Sequence, residues 1–582
     1  MHAGRNDAAA ATLLELVRRE PKNLHAVNLL ASALLLSGKL DQALYYAERA
    51  VELAPNLAAV YGTLGNCLTA QGKYEAAHAA FEKAWNMGMR EAGIAESMLY
   101  CLRQLAKWAS GAKFGKLAMD TLPNAPVVAV VTSECLRQLG RSEEALALIE
   151  PVVRAFPQHY EARLAYATLL NYVDGRAKDL LEAHCALAQL LPEHRVKVGL
   201  PTTNKKQSSS PQLPPKRVGV KRIGLVSGDF RRHSCAWFVL PLLRQAQDSG
   251  SLEFVLYSNE PTQDDITEQC RSLAVGWRDV WTWSDAKLVE QVKSDGVDVL
   301  VDLAGHTPGN RLRAFSMRAA PLQATWLGYP ATTGVKEIDI RIVDWMTDPS
   351  ADAQSVNIER LIRLGQEKDE SHQPLFCFEP PSDLPPVGEG GAGGVVFCCF
   401  NSLQKYSEAT LKSWAEILRR VPDATLVIKS QGTNVEEVRA DLEARLRDAG
   451  LAMDRVKIIG YAPTNQSHLA MYQTCDIQLD TFPYNGATTT CESLAMGVPV
   501  LTRCGDTHAS RVGASIMTAV YGEAASAFIA RSDEEYVGKV VGLAGRVGEL
   551  RKQRPALRQQ VLNSNLCNPT AFTQAFAQAL RD

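Results

Sequence analysis

The first third of the sequence repeats with a period of 34 residues. Cys67, Cys101 and Cys135 are spaced at this interval, and so are Pro21 and Pro55. A unit of this length has room for two short helices and the turns that join them. Because one such helix pair cannot bury its apolar faces alone, successive pairs must stack against each other. The period therefore predicts a stacked helical array, an α-solenoid.

The residue types within the unit are typical of tetratricopeptide repeats. Leu64, Gly65, Ala77 and Phe81 stand at the pattern positions of the second full unit, with a small residue where the two helices touch. We predict that residues 1–195 form this array. Its concave groove suits an extended peptide or a partner protein, and self-association into a homo-oligomer through the same surface is the alternative.

Charge and composition exclude several functional classes. The 62 Lys+Arg and 64 Asp+Glu residues leave a formal charge of -2, so no overall positive field attracts nucleic acid or an anionic membrane. No apolar stretch approaches the roughly 18 residues of a spanning helix, and the N-terminus does not read as a secretory signal. Thirteen cysteines without C-x-x-C spacing indicate neither a disulfide framework nor a zinc site. We expect a cytoplasmic protein that binds neither nucleic acid nor membrane.

A segment rich in Pro, Ser and Lys, residues 201–216, follows the array, and we assign a linker to residues 196–220. Beyond it, short β-branched runs alternate with helical stretches: RIGLVSG, EFVLYSN, VDVLVDLAG, QATWLGYP and IDIRIVD. Such alternation predicts a parallel sheet covered by helices on both faces. We assign this Rossmann-like, doubly wound lobe to residues 221–380.

A second α/β series follows a break rich in Pro and Gly. The break covers residues 381–394, and the runs VVFCCF, TLVIKS, RVKIIGY, IQLDTFP and VPVLTRC come after it. They predict a second Rossmann-like lobe, with terminal helices, over residues 395–582. Ligands of such folds bind at the carboxyl ends of the strands. The two lobes are therefore expected to form a ligand cleft between these edges.

The absence of several motifs limits the classes of ligand that this cleft can bind. The first strand ends without G-x-G-x-x-G, and no G-x-x-x-x-G-K-[ST] occurs anywhere. Both a dinucleotide fingerprint and a P-loop are therefore absent. No two aspartates stand two residues apart, so the Asp-x-Asp metal bridge of one class of sugar-nucleotide transferases has no candidate. A nucleotide binder without an obvious metal remains.

The second lobe offers a site for a diphosphate. Asn485-Gly486 predict a tight turn, and Thr488 and Thr489 open a helix whose amides and hydroxyls suit an anion. Glu492, in the first turn of that helix, either stabilises the helix dipole or binds a ribose hydroxyl.

Five segments of the two lobes resemble one known family. FNSLQK, LDTFPYNGATTTCESLAMGVPV, GDFRRHS, LAGHTPGNR and WLGYP look like the catalytic half of O-GlcNAc transferases and their Spindly-type O-fucosyltransferase relatives. A preceding tetratricopeptide array is also similar to that family. The resemblance implies a two-lobed fold of the GT-B type. It also implies inverting, metal-free transfer of a sugar from a nucleotide diphosphate to Ser or Thr hydroxyls of proteins.

The resemblance assigns roles on the second lobe. Lys405 is expected to contact the diphosphate and stabilise the charge of the leaving group, which a fixed cation must do where no metal helps. Thr488 and Thr489 match phosphate-binding threonines. Ser402 matches a phosphate-contacting position at which the animal enzymes usually have Gln, and Ala487 replaces a His that is common there.

The resemblance also assigns the residues that contact the nucleoside. Glu492 matches the acidic ligand of the ribose, and His468 matches an imidazole that packs on the nucleobase. Since the segment YAPTNQSHLAMY around His468 has no acidic residue, a slot for guanine is not indicated there.

On the first lobe, His233 follows the first strand and matches the family's active-site histidine. His233 is a candidate general base. A role in positioning the acceptor or in contacting the sugar explains its placement equally well. His306, after the fourth strand, is a second cleft candidate. Gly328 and Pro330 end another strand at the same rim, where a glycine lets a sugar approach the backbone.

These residues lead to one expected function and two alternatives. We expect transfer of N-acetylglucosamine from UDP-GlcNAc to proteins, with no cofactor beyond this donor, UDP as product and protein or peptide acceptors held by the repeats. A GDP-fucose protein O-fucosyltransferase is the nearest alternative. A non-catalytic scaffold whose lobes sense a nucleotide is the alternative from another class.

Overall fold

A computed structural model describes residues 2–194, 213–349, 351–365, 373–391 and 393–581. The chain forms two compact units: Met1–Leu139 with Glu144–Ala165 and Val435–Asp441, and Gly140–Glu143 with Tyr166–Asn434 and Leu442–Asp582. Most of the predicted linker 196–220, up to residue 212, lies outside the described residues. Among those that are described, no helix is both long and apolar enough to cross a membrane.

The repeat region consists of short helices joined by turns, as the period predicts. Its helices are α1 (His2–Arg19), α2 (Leu24–Leu36), α3 (Leu40–Leu53), α4 (Ala58–Ala70), α5 (Tyr74–Asn86), α6 (Ala92–Gln104), α7 (Trp108–Thr121), α8 (Pro126–Gln138), α9 (Ser142–Ala155), α10 (Tyr160–Leu169) and α11 (Ala177–Ala188). Cys67, Cys101 and Cys135 are buried in α4, α6 and α8. At Gly65 a Cβ would lie 2.6 Å from the Phe81 ring. The small residue of the repeat is therefore required by the close approach of α4 and α5.

Within the described residues, seven parallel strands form the sheet of the first lobe, in the order β3-β2-β1-β4-β5-β6-β7. They are β1 (Lys221–Ser227), β2 (Leu252–Ser258), β3 (Gly276–Asp279), β4 (Val299–Asp302), β5 (Leu322–Thr325), β6 (Ile340–Asp344) and β7 (Arg360–Leu364). Its helices are α12 (Ala236–Ser249), α13 (Asp265–Leu273), α14 (Asp285–Ser294), α15 (Leu312–Ser316) and α16 (Ala351–Ser355). The five predicted strands are confirmed. The edge strands β3 (GWRD) and β7 (RLIRL) were not predicted, because charged residues interrupt their apolar residues.

The second lobe has a parallel sheet of six strands within the described residues, in the order β10-β9-β8-β11-β12-β13. They are β8 (Val396–Cys399), β9 (Thr425–Lys429), β10 (Val456–Ile459), β11 (Ile477–Leu479), β12 (Val500–Arg503) and β13 (Ile529–Ala530). Its helices are α17 (Glu408–Arg420), α18 (Glu436–Asp448), α19 (Asn465–Ala470), α20 (Thr488–Ala495), α21 (Val512–Tyr521), α22 (Asp533–Ala544) and α23 (Val547–Leu562). Short 3-10 helices cover Leu170–Tyr172, Leu403–Lys405, Met453–Arg455, Met471–Thr474, His508–Ser510 and Gly522–Ala527.

The last helix, α24 (Pro569–Ala579), packs against α12 and β7 of the first lobe. Phe572 and Phe576 of α24 are buried in the core of the first lobe, and their ring centroids lie 5.3 and 5.5 Å from that of Trp326. The prediction that placed all terminal helices on the second lobe is therefore wrong for α24. Sequence periodicity shows which face of a helix is apolar but does not show which apolar surface it covers.

Candidate active site

A cavity of about 410 Å³ lies between the carboxyl edges of the two sheets. The predicted residues that line it are His233, Gly328 and Pro330 from the first lobe and Ser402, Lys405, Thr488 and Thr489 from the second. Its size is typical of small-molecule sites, and so is its position at the strand ends.

The start of α20 at the cavity wall presents unused backbone donors. The residue before the helix, Ala487, has no side chain that could cap it. No described group accepts a hydrogen bond from the N–H groups of Thr488, Thr489 and Thr490. Such amides, at the positive end of the helix dipole, favour an anion.

A buried carboxylate, that of Asp480, organises the loop before α20. Its oxygens accept hydrogen bonds from the Gly486 amide at 2.7 Å, the Thr502 hydroxyl at 2.7 Å and the Asn401 side chain at 3.0 Å. The hydroxyl of Thr489 donates to Asn401. A Cβ at Gly486 would lie 2.7 Å from Asn401 Oδ1, so this position requires glycine. Gly486 therefore shapes the anion site from behind rather than lining the cavity.

Lys405 brings a cation to the same wall. Its Nζ donates to the carbonyl oxygen of Asn485 at 2.7 Å and lies 4.2 Å from the ring centroid of Tyr484. Burial lowers the pKa of Lys405 to about 8, although the nearby Asp480 carboxylate opposes this shift. A partly dehydrated ammonium at this place can stabilise negative charge strongly.

His233 faces the cavity from the first lobe. Its Nδ1 accepts a hydrogen bond from the backbone N–H of Cys235 at 3.3 Å and lies 3.6 Å from Asp229 Oδ2. Burial lowers the pKa of His233, more than the Asp229 carboxylate raises it. With Nδ1 accepting, a neutral His233 carries its proton on Nε2, which favours donation to a ligand. Ligand atoms of Asp229, His233 and Cys235 also lie within 4.8 Å of one another, a spacing that could hold a metal ion.

His468 and Glu492 meet each other beside the cavity rather than in its lining. His468 Nε2 lies 3.0 Å from Glu492 Oε2, and His468 Nδ1 is buried with no partner among the described residues. The ring centroid of His468 is 5.9 Å from that of Phe400. The fold thus supplies a carboxylate to the predicted base position, although the sequence segment around His468 contains none.

The predicted sugar contact of His306 is not supported by its position. His306 is 3% exposed, lies behind the cavity wall and donates through Nε2 to the carbonyl of Thr333 at 2.7 Å. Burial lowers its pKa to about 4, so it stays neutral. Gly328 lines the cavity, but a Cβ there would lie 1.9 Å from the carbonyl oxygen of Leu303. Loop packing, and not room for a sugar, requires this glycine.

The end of the repeat region belongs to the second unit and supports both walls of the cavity. Tyr172 stacks on Tyr484, with ring centroids 4.7 Å apart. His184 Nε2 lies 2.8 Å from the hydroxyl of Tyr329, which lines the cavity. Residue Asn171 also donates to this hydroxyl, at 3.4 Å.

Comparison with known families agrees with this architecture. A model of glycosyl transferase family 41 matches residues 200–365 and 391–576, more than half of the chain. The chain belongs to glycosyl transferase family 41. Tetratricopeptide repeat models match residues 21–87 and 136–179.

This family 41 chain is similar to proteins described as probable UDP-N-acetylglucosamine–peptide N-acetylglucosaminyltransferases. It is 36% identical over 366 residues to a probable UDP-N-acetylglucosamine–peptide N-acetylglucosaminyltransferase SPINDLY of Petunia hybrida, across 62% of this chain and 38% of that protein. It is 27% identical over 381 residues to a probable transferase of the same description, SEC of Arabidopsis thaliana, across 63% and 37%. The match thus spans well under half the length of these relatives. Among solved structures, a variant of the Thermobaculum terrenum O-GlcNAc transferase superimposes with a TM-score of 0.69 and 26% identity, over 99% of this chain and 98% of that one.

Sequence reasoning missed several residues of this family 41 site. Asn401 and Asp480 stand within two of the quoted motifs, just after the buried strands β8 and β11, and that position was the signal that could have identified them. Arg341 lines the cavity, and its buried Nη2 has no partner among the described residues. Tyr172 lies far away in sequence from any motif of the lobes, so only the structure reveals it.

Proposed function

We propose that this protein is an inverting, metal-independent transferase that moves N-acetylglucosamine from UDP-GlcNAc to Ser or Thr hydroxyls of proteins. One observation carries the proposal: the ammonium of Lys405 and the uncapped start of α20 share one wall of a cavity whose opposite lobe presents His233. A diphosphate on the first wall leaves the sugar directed toward the other lobe.

The leaving group defines the role of the second lobe. The acceptor oxygen attacks the anomeric carbon as the bond from that carbon to the diphosphate oxygen breaks, and the electron pair of this bond stays on the diphosphate. Lys405 and the free amides of Thr488 and Thr489 then stabilise the new charge. These donors are held in place before reaction, which is the arrangement that lowers a barrier most effectively.

The acceptor hydroxyl must lose its proton during this attack. His233 in its neutral Nε2–H form is better suited to orient the acceptor or the sugar than to take that proton. We therefore propose a positioning role for His233, with the proton passing to solvent or to a donor phosphate oxygen.

The nucleoside is proposed to bind beside His468 and Glu492. An imidazole face suits a flat base, and the free lone pairs of Glu492 suit ribose hydroxyls. The carboxylate of Glu492 lies next to the proposed base position. It also favours a second candidate donor, GDP-fucose, because the amino group of guanine can donate a hydrogen bond to a carboxylate. Acceptor proteins are proposed to bind the repeat groove.

Intact mass spectrometry tests the proposal. The full-length protein is incubated with a peptide or lysate acceptor and separately with UDP-GlcNAc, UDP-glucose, GDP-fucose and no donor. A mass gain of one N-acetylhexosamine with UDP-GlcNAc alone supports the proposal. A gain of one deoxyhexose supports the second candidate, and nucleotide binding without any mass gain across acceptors supports a scaffold.

A matched pair of lysine variants ties the activity to the site. Lys405→Met should reduce turnover by about 10²–10³-fold. Lys412→Met removes an exposed lysine on α17 and should leave turnover unchanged. Equal activities of the two variants would contradict the role of Lys405.

A further inference from the structure

Lys429, the last residue of β9, is a buried cation for which the described residues supply no hydrogen-bond acceptor. It is 5% exposed, and its ammonium makes no hydrogen bond or ion pair within the described part of the chain. The nearest rings are those of Phe400 and Tyr461, whose centroids lie 5.7 and 5.4 Å from Nζ. A largely buried ammonium without an acceptor is costly unless something completes its hydrogen bonds. A ligand of matching chemistry is therefore expected.

The position of Lys429 points to the nucleoside. The strand β9 lies between β8 and β10, and the residues after these two strands supply Phe400 and Tyr461. Phe400 also contacts His468. Lys429 thus belongs with the aromatic side chains of the proposed base site, whereas Lys405 contacts the Asn485 backbone at the proposed diphosphate site.

The charge state of Lys429 fits a hydrogen-bond acceptor on the ligand. Burial lowers the pKa of Lys429 to about 8, and the charge of Glu492 opposes this shift. The ammonium remains largely protonated at neutral pH. It offers up to three donors and no acceptor.

We propose that Lys429 donates a hydrogen bond to the carbonyl oxygen at C4 of uracil or at C6 of guanine, and so selects these bases over cytosine and adenine, which carry an amino group at that position. An exocyclic amino group at the same position would point its hydrogens at the ammonium and leave both groups without acceptors. This inference rests on the proposed function, because it requires a nucleoside diphosphate in the cleft.

Titration calorimetry of the full chain with UDP, CDP, GDP and ADP tests it. Wild-type protein should bind UDP and GDP each at least about tenfold more tightly than its amino counterpart, CDP or ADP. In Lys429→Met, UDP and GDP should bind more weakly. The affinity ratios of UDP to CDP and of GDP to ADP should then both fall to within about threefold of one. Lys457→Met, which removes an exposed lysine on β10, should keep the wild-type ratios.

The fold of Lys429→Met is checked by its melting temperature without nucleotide. Because an apolar side chain of similar length replaces an unpaired buried charge, the variant should melt at or above the wild-type temperature. A strong drop would mean that Lys429 serves the fold, which would overturn the inference.

Other outcomes separate the inference from the function on which it rests. Equal loss of all four nucleotides in Lys429→Met, together with unchanged binding of uridine, would assign Lys429 to the diphosphate and overturn the inference. Wild-type binding of all four nucleotides with equal affinity would also overturn it, while leaving the donor site intact. Absence of binding by every nucleoside diphosphate would overturn the proposed function itself.

Discussion

His508 of the second lobe pairs with Asp348 of the first, with 2.7 Å between Nδ1 and Oδ2. Asp348 follows β6 and is nearly fully buried, and His508 belongs to the 3-10 helix after β12. A second contact between the lobes lies beside it, where the Ser515 hydroxyl donates to Asp344 at 2.9 Å. These groups hold the lobes together at the margin of the cavity.

The pair predicts a specific acid sensitivity. Burial would raise the pKa of Asp348, but the charge and hydrogen bond of His508 outweigh it and hold this pKa below its usual range. A carboxyl whose pKa is lower in the folded than in the unfolded protein stabilises the fold fully at pH values above its unfolded-state pKa. This contribution is lost as the pH falls below about 4 toward the folded-state pKa. Asp348→Asn should therefore lower the melting temperature at pH 7 and reduce its decline at acid pH.

Asp352→Asn, at an exposed position of α16, serves as the control and should melt like wild type from pH 7 to pH 3. Unfolding followed by calorimetry at each pH makes the comparison. Parallel curves for wild type and Asp348→Asn would show that this pair does not contribute.

Lys405 predicts an alkaline limit to catalysis. Since burial lowers its pKa to about 8 in the free protein, the ammonium is lost as pH rises through that value. The ratio kcat/KM, which reports the free enzyme, should therefore fall above pH 8. Lys405→Arg should move this limb to higher pH even if its rate is lower, and an unchanged limb would assign the titration to another group.

The nucleoside site predicts a preference for UDP over GDP. A pyrimidine on the imidazole of His468 needs less room than guanine. His468→Ala should reduce the preference, whereas His25→Ala, at an exposed site on α2, should not. Calorimetric titration measures both affinities, and tighter binding of GDP by wild type would favour the fucosyltransferase candidate.

Metal removal is expected to leave transfer unchanged. Lys405 and the α20 amides are proposed to stabilise the leaving group, so treatment with EDTA should not reduce turnover. The cluster of Asp229, His233 and Cys235 makes the test informative, because its ligand atoms are close enough to bind an ion. Loss of activity that Mg²⁺ or Mn²⁺ restores would contradict a metal-free mechanism.

Two truncations should distinguish the roles of the two parts of the repeat region. Deletion of residues 1–139 should abolish modification of protein acceptors and preserve UDP binding. Deletion of residues 1–195 also removes Tyr172 and His184, which contact cavity residues, so it should weaken UDP binding as well. Both affinities are measured by titration on soluble protein, and equal UDP affinity of the two truncations would show that these contacts do not support the donor site.

Much of the architecture could be predicted because it depends on local patterns. The 34-residue period and the alternation of apolar strands with helices reflect which side chains each element must bury. The position of Lys405 and of the threonines at the start of α20 also follows from sequence, since the loops that follow the strands of a parallel sheet lie at its ligand-binding edge. The strand β11 ends at Leu479, so this rule applies equally to Asp480.

Tertiary structure alone decided which distant groups meet. Glu492 reaches His468, Tyr172 stacks on Tyr484, and α24 crosses to the first lobe, although no local pattern specifies these partners. It also decided that His306 lies behind the cavity wall and that Lys429 is buried with no hydrogen-bond acceptor among the described residues. The physical reason is that periodicity specifies which face of an element is apolar, whereas the partners of a buried polar group depend on how whole elements pack.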